Sequence, residues 1–272
     1  MQLIDTRILI VEDEIVVASE IKLRLEAMGF QVIGIVNNGR DAIAEANEHY
    51  PDIILMDITL KGKMNGLEAT REISRETDIP VIFITAHTDT PTLDSAREAS
   101  THGIFTKPFS DDELMVAIQQ ATISKVMTNY LATANLVTLC EALTTAKKAG
   151  MDLSTTYEAI RISSGNSFVH ETESQVILNG SRDINFTMDL VLKDISLFQA
   201  IADRVGVPLE ISPLLINIFK DGEERYGSRE WSPNIVRRLE EACDTKVLAS
   251  GFPAEMVDHE PEVSGVEVEV RV

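Results

Sequence analysis

The sequence predicts an α/β domain followed by an all-α domain. Three observations carry this. Short β-branched runs alternate with amphipathic stretches up to residue 122, the alternation then stops, and neither glycine nor proline occurs between Phe109 and Gly150. Alternating β and α units of this size form a doubly wound parallel sheet with helices on both faces.

The expected strands are Arg7–Val11, Gln31–Val36, Ile53–Met56, Val81–Ile84 and Ile104-Phe105. Most are continuously apolar, as strands buried on both faces of a parallel sheet are. Helical stretches lie between them at Val16–Met28, Arg40–Glu48, Gly66–Glu76 and Pro91–Ala99. Ser110 then stands as an N-cap with Glu113 at the capping-box position, opening a helix that runs to Lys148. At 1.5 Å per residue that helix is about 60 Å long. Its apolar residues, from Leu114 to Leu143, spread around its circumference, which marks a helix packed on several sides. Further helices are expected at Ser154–Ser163, His170–Asn179, Thr187–Val205, Pro213–Tyr226 and Pro233–Ala242, punctuated by Gly150, Gly165, Gly180, Gly206 and Gly227. The tail from Gly251 ends in Val266–Val272 with strict period two, which reads equally as a strand or as a disordered chain end. The expected division is therefore 1–122, 123–250 and a tail, 251–272.

Composition narrows the function classes. Of 272 residues, 44% are hydrophobic and 25% charged, a globular balance. The 24 Lys+Arg against 44 Asp+Glu give a net charge of −20, which repels phosphate backbones and anionic lipid, so neither nucleic acid nor membrane is an expected partner. Two cysteines, Cys140 and Cys243, cannot build a disulfide framework and fit a reduced, cytoplasmic setting. No apolar run reaches membrane-spanning length, and the early acidic residues (Asp5, Glu12, Asp13) are unlike a signal peptide.

Reactive groups in a doubly wound sheet collect at the carboxyl ends of its strands. Here those ends carry Glu12-Asp13-Glu14, Asp57, Thr85-Ala86 and Lys107-Pro108-Phe109. Carboxylates converging on one edge repel one another unless a divalent cation holds them, and hard oxygen donors suit Mg²⁺. A carboxylate in such a place can attack a phosphoryl group and become an aspartyl phosphate. The Thr85 hydroxyl and the Lys107 ammonium then suit the phosphoryl oxygens. Singly, each residue reads as a cap or a loop; in strand order they read as a site.

In these residues, with Ile54-Leu-Met-Asp57 and Gly66 in the loop that follows, residues 1–122 resemble the receiver domain of two-component response regulators, whose sheet is flavodoxin-like. The resemblance implies that Asp57 accepts a phosphoryl group from a histidine kinase or phosphotransfer protein. It implies that Asp13 and Asp57 bind Mg²⁺, with Glu12 acting through water and the Thr59 carbonyl as a further ligand. Lys107 would pair with the phosphoryl group, and the bond to Pro108 would be cis. Two positions depart from the family pattern. Ile104 stands three before the lysine, where the family has the Tyr or Phe of its rotamer switch, and Asp57 is followed by Ile-Thr-Leu-Lys61-Gly62 without proline.

The second half resembles the helical C-terminal domain of the 3-hydroxyisobutyrate dehydrogenase family, the β-hydroxyacid dehydrogenases, and with it the C-terminal domain of 6-phosphogluconate dehydrogenase. The phrases are Lys125-x-x-x-Asn129, Glu141-Ala-Leu-x-x-Ala-x-x-Ala-Gly150-x-Asp152, Ser163-Ser-Gly-x-Ser167, Phe186-x-x-Asp-Leu-x-Leu-Lys193-Asp194 and Gly206-Val-Pro208. The resemblance implies an acid/base lysine at Lys125, substrate positioning by Asn129, and Lys193 and Asp194 near substrate and cofactor. Thr128 stands where the family has Asn. Such enzymes hold NAD(P) on a separate dinucleotide-binding domain with a G-x-G-x-x-G turn. That turn occurs nowhere in this chain, and Glu12-Asp13-Glu14 follows the first strand instead, so NAD(P) is not expected. The chain reads as a receiver standing in place of the dinucleotide domain, whether by natural fusion or as a chimera. The family's helical domain is also its dimerisation element, which implies a homodimer. The expected function is a phosphorylation-responsive signalling protein with a helical dimerisation or output module. The alternative is an NAD(P)-dependent β-hydroxyacid oxidoreductase whose cofactor domain comes from another chain.

Overall fold

The apolar runs become strands because only a site covered on both faces can accept them. In the computed structural model, which describes residues 6–86, 89–99 and 102–257, they form β1 (Arg7–Val11), β2 (Gln31–Val36), β3 (Ile53–Asp57), β4 (Val81–Thr85) and β5 (Ile104–Thr106). All pairings are parallel, in the order β2-β1-β3-β4-β5. Ile8 faces Ile53 in register and Asp57 faces Ile84. Alternate strand residues feed two cores. Ile8, Ile10, Leu55 and Ile84 pack with Ile21 and Leu25 of α1 (Ile15–Ala27) and with Leu114 and Ile118 of α5 (Asp111–Lys148). Leu9, Val11, Met56 and Phe83 pack with α2 (Gly39–His49), α3 (Gly66–Glu76) and α4 (Thr90–Ala99) through Ala42, Ala46, Ile73 and Ala96. Each fully buried aliphatic side chain contributes about 1.5–3 kcal/mol over exposure.

The expected doubly wound sheet is thus present. Its strand order reverses between β1 and β3, which opens a crevice at their carboxyl ends. The Ser110 cap is formed as expected: Glu113 N–H donates to Ser110 Oγ at 3.2 Å, and Ser110 N–H donates to Glu113 Oε2 at 3.1 Å. From that cap α5 runs unbroken to Lys148.

The chain divides into two compact units at Lys125/Val126, within α5. The second unit holds α6 (Leu153–Arg161), α7 (Phe168–Asn179), α8 (Met188–Val205), α9 (Ile211–Tyr226), a 3₁₀ helix (Ser232–Val236) and α10 (Arg237–Ala242). Its core gathers Leu143, Ile177, Leu178, Met188, Ile195 and Phe219. One element differs in kind from expectation: the single helix expected over Pro233–Ala242 opens as a 3₁₀ turn, with Pro233 in the first turn, where its missing N–H leaves no ladder bond unmade. Residues 251–257 form neither helix nor strand, and Val266–Val272, expected as a strand or a disordered end, lie outside the described residues. No helix among the described residues is long and apolar enough to cross a membrane.

Candidate functional site

The crevice between β1 and β3 is built by backbone before side chain. Glu12 and Asp13 follow the last residue of β1, and Glu12 N–H donates to the Val36 carbonyl at 2.9 Å, which fixes the chain as it leaves the sheet. Asp57 ends β3. Its Oδ1 accepts the Thr59 N–H at 2.9 Å, folding the next loop over the carboxylate. Gly66 closes that loop, and its N–H donates to the Ile58 carbonyl. A Cβ here would lie 2.0 Å from the Asp57 carbonyl oxygen, so only glycine fits. Asn65 and Glu68 then start α3 with a reciprocal capping box.

Charge converges at this edge. Lys107 Nζ lies 2.6 Å from Glu12 Oε2 and 2.7 Å from Asp57 Oδ2. Glu12 is 3% exposed and Asp57 8%. Burial pushes the Glu12 carboxyl above its ordinary range, and the Asp57 charge adds to this against the pull of Lys107. Burial disfavours the charged Lys107, but its hydrogen bonds to Asp57 and Glu12 outweigh that and raise it. Asp13 faces Lys61, Oδ2 to Nζ at 3.2 Å, and its carbonyl accepts from the same ammonium. Thr85 is fully buried at the end of β4 and Thr59 is exposed. The Lys107–Pro108 peptide is cis. Ile104, half-buried at the start of β5, packs against the α2–α4 face of the sheet.

The donor chemistry fits Mg²⁺: it is oxygen-only and anionic, and positive charge is already drawn between Glu12 and Asp57. Among the described residues no three Asp, Glu, His or Cys side chains are grouped to hold a metal, the inner carboxylates facing lysine ammonium groups instead.

Two contributors carry no sequence signal because their partners lie far along the chain. Lys61 meets Asp13 from the loop after β3. Arg24 of α1 donates to Asp111 Oδ1 at 2.6 Å and to the Phe109 carbonyl at 2.9 Å, with its guanidinium 4.5 Å over the Phe109 ring. It ties down the short segment between Lys107 and α5. The Asn65–Glu68 box was missed in the sequence, although its N-x-x-E spacing ahead of an amphipathic stretch is a signal that could have found it.

The dehydrogenase-type residues lie on α5 and α8. Lys125 falls in the first unit, its side chain 8% exposed and its Nζ 3.9 Å from Asp78 Oδ1. Asn129 falls in the second, where its Nδ2 donates to Asp194 Oδ2 at 2.7 Å. Asp194 is buried and Lys193 half-buried on α8. Much of the rest of the resemblance is helix punctuation. Gly150 and Gly206 sit at positive φ after α5 and α8, while Asp152 and Ser167 cap α6 and α7. The interior of this unit also holds titratable side chains that no sequence phrase marked. Arg182 pairs with Glu240 at 3.1 Å, and Glu173 Oε2 is buried with no hydrogen-bond partner, its carboxyl pushed up to about 8 by burial.

Comparison with known proteins matches two families to successive parts of the chain. The response regulator receiver domain family matches residues 8–119, and the family described as NAD-binding of NADP-dependent 3-hydroxyisobutyrate dehydrogenase matches 120–239. The transcriptional regulatory protein PdtaR of Mycobacterium tuberculosis is 30% identical over 141 residues, which cover 52% of this chain and 68% of that protein. The DNA-binding response regulator MtrA of the same organism is 30% identical over 113 residues, covering 42% of this chain and 49% of that protein. Among solved structures, the receiver domain of the sensor histidine kinase PA1611 from Pseudomonas aeruginosa PAO1, with a magnesium ion coordinated in its cleft, is 30% identical, covers 43% of this chain and 98% of that one, and has a TM-score of 0.41.

Proposed function

The chain belongs, through its N-terminal half, to the response-regulator receiver family, and from that premise we propose that Asp57 is its phosphoacceptor and the helical half its dimerisation and output module. The observation that carries this reading is the Lys107 ammonium shared between Asp57 and Glu12 at a crevice opened by the reversal of strand order. A histidine kinase or phosphotransfer protein supplies the phosphoryl group on a histidine nitrogen. An Asp57 carboxylate oxygen attacks phosphorus, the P–N bond breaks, its electron pair returns to the histidine ring, and an acyl phosphate remains on Asp57. Lys107 then exchanges its Asp57 contact for a phosphoryl oxygen, and the Thr85 hydroxyl donates to another. Asp13, Asp57 and the Thr59 carbonyl would hold Mg²⁺, with Glu12 acting through water, and the cation supplies charge that balances the carboxylates and the phosphoryl group. Because Ile104 replaces the aromatic switch, the response runs through Lys107, Phe109 and Arg24 toward α5, and it changes receiver contacts more than subunit number.

Labelling by a small phosphodonor tests this. Wild type takes up the phosphoryl group only with Mg²⁺ present, and Asp57→Asn takes up none. Equal labelling of the variant would remove Asp57 from the role.

The match of residues 120–239 to a dehydrogenase family, together with the Asn129–Asp194 hydrogen bond, favours a second reading, in which the helical half acts on a hydroxyacid with a cofactor domain from another chain. Titration with NAD⁺ and NADP⁺ separates the two, and the receiver reading expects no saturable binding by this chain.

A further inference from the structure

The loop after β3, Ile58-Thr-Leu-Lys61-Gly62, lacks the proline of the receiver pattern. A proline would fix the backbone and carry no charge, whereas Lys61 brings an ammonium group to the edge of the crevice. Gly62 stands at φ +119, with open space where a Cβ would lie, and turns the chain as glycine does readily. Beside it, Lys61 Nζ lies 3.2 Å from Asp13 Oδ2 and 3.1 Å from the Asp13 carbonyl oxygen. One ammonium is thus held by both acceptors of one residue. The two lysines of the crevice differ in exposure. The Lys107 side chain is 23% exposed and reaches the inner carboxylates, whereas Lys61 is 74% exposed and its partner Asp13 15%. Lys61 returns to water at little cost, and Asp13 is then left needing a cation.

We propose that Lys61 is a tethered counter-charge that competes with Mg²⁺ for Asp13 and so sets the Mg²⁺ concentration at which the site takes a phosphoryl group. This rests on the Mg²⁺ reading above. Asp13 Oδ2 cannot serve an ammonium and a divalent cation together, because two like charges would then lie within a few ångströms of each other. The charge count points the same way. Glu12, Asp13 and Asp57 set against Lys107 leave two negative charges, the complement of one divalent cation. With Lys61 docked on Asp13 only one remains. The apparent Mg²⁺ dissociation constant is therefore raised by the inverse of the fraction of molecules in which Asp13 is free. A pair as exposed as this one supplies a factor of up to about five, so Lys61 tunes the site without closing it.

Calorimetric titration of the full chain with Mg²⁺, with no phosphodonor present, tests this. Lys61→Ala binds Mg²⁺ about threefold or more tightly than wild type, and Lys61→Arg, which restores the charge, binds within about twofold of wild type. Lys63→Ala removes an equal charge from an exposed position two residues along the loop and shifts the constant by less than about twofold. A second measurement needs no variant. Acylation of Lys61 in wild type by an amine-reactive ester speeds up when Mg²⁺ is added, while that of Lys63 does not. Three results would each overturn the competition and leave the Mg²⁺ reading standing: a wild-type constant for Lys61→Ala, an equal shift for Lys63→Ala, or Lys61 acylation unmoved by Mg²⁺. Absence of Mg²⁺ binding by wild type and every variant overturns both.

Discussion

The two halves of this chain put their family residues to different use. In the receiver half, Glu12, Asp57 and Lys107 come from three separate places in sequence and meet within hydrogen-bonding distance at one edge of a sheet. Of the helical half's phrases, Asn129 on α5 bonds Asp194 on α8, Lys125 lies 3.9 Å from Asp78, and Gly150, Asp152, Ser167 and Gly206 begin or end helices. An ordered set of phrases is therefore evidence of fold in both halves, but evidence of a site only where the fold brings the phrases together.

The greatest change in function is expected in the receiver. Gly66→Ala forces a Cβ to within 2.0 Å of the Asp57 carbonyl oxygen, so the loop carrying Thr59 must shift. Overpacking of this kind costs about 1–3 kcal/mol, and phosphoryl uptake at Asp57 falls at least tenfold. Urea unfolding and labelling rates check the two halves of this. A variant that is destabilised yet labels at the wild-type rate would make Gly66 a packing residue alone.

The next effect lies in the helical half and depends on pH. Glu173 has its folded pKa raised to about 8 from an ordinary 4.5. The folded state keeps its proton while the unfolded state loses it, so stability falls as pH rises from the ordinary value to the raised one and is level above it. The loss is of order 5 kcal/mol. Glu173→Gln removes this slope and makes the protein more stable than wild type at pH 9, as thermal melts between pH 5 and 9 would show. Parallel pH profiles for the two proteins would contradict a neutral Glu173.

A smaller change separates scaffold from site within the resemblance. Asp152→Ala removes the cap that accepts the Thr155 N–H at 2.7 Å and costs about 1 kcal/mol, with phosphoryl uptake unaltered. The smallest is at the Lys125 pair: Asp78 is 50% exposed and the contact is 3.9 Å long, so Asp78→Asn shifts stability by no more than about 0.5 kcal/mol. A loss of several kcal/mol would show that Lys125 needs its partner as a buried charge does.

How much of this the sequence disclosed follows from the range of the interactions. Strands were legible because burial on both faces leaves a continuous apolar run, and the α5 start because Ser110 and Glu113 lie three residues apart. The convergence of Glu12, Asp57 and Lys107 was legible through strand order, since each follows or ends a recognisable strand. Arg24 on Phe109, Lys61 on Asp13, and the interior pair Arg182–Glu240 were not, because separations of 85, 48 and 58 residues leave no local pattern. The partner of Lys125 was hidden for a further reason. The phrase Lys125-x-x-x-Asn129 describes one helix face, and a helix face does not reveal which neighbour it meets.

We propose that the chemistry of this chain is confined to the edge of the receiver sheet. It is tested most directly by assaying the full chain for reduction of NAD⁺ or NADP⁺ with 3-hydroxyisobutyrate, in a preparation that a small phosphodonor labels at Asp57. The expected result is labelling without any reduced nicotinamide. Formation of reduced nicotinamide that is lost on Lys125→Ala would contradict it and return the second half to catalysis.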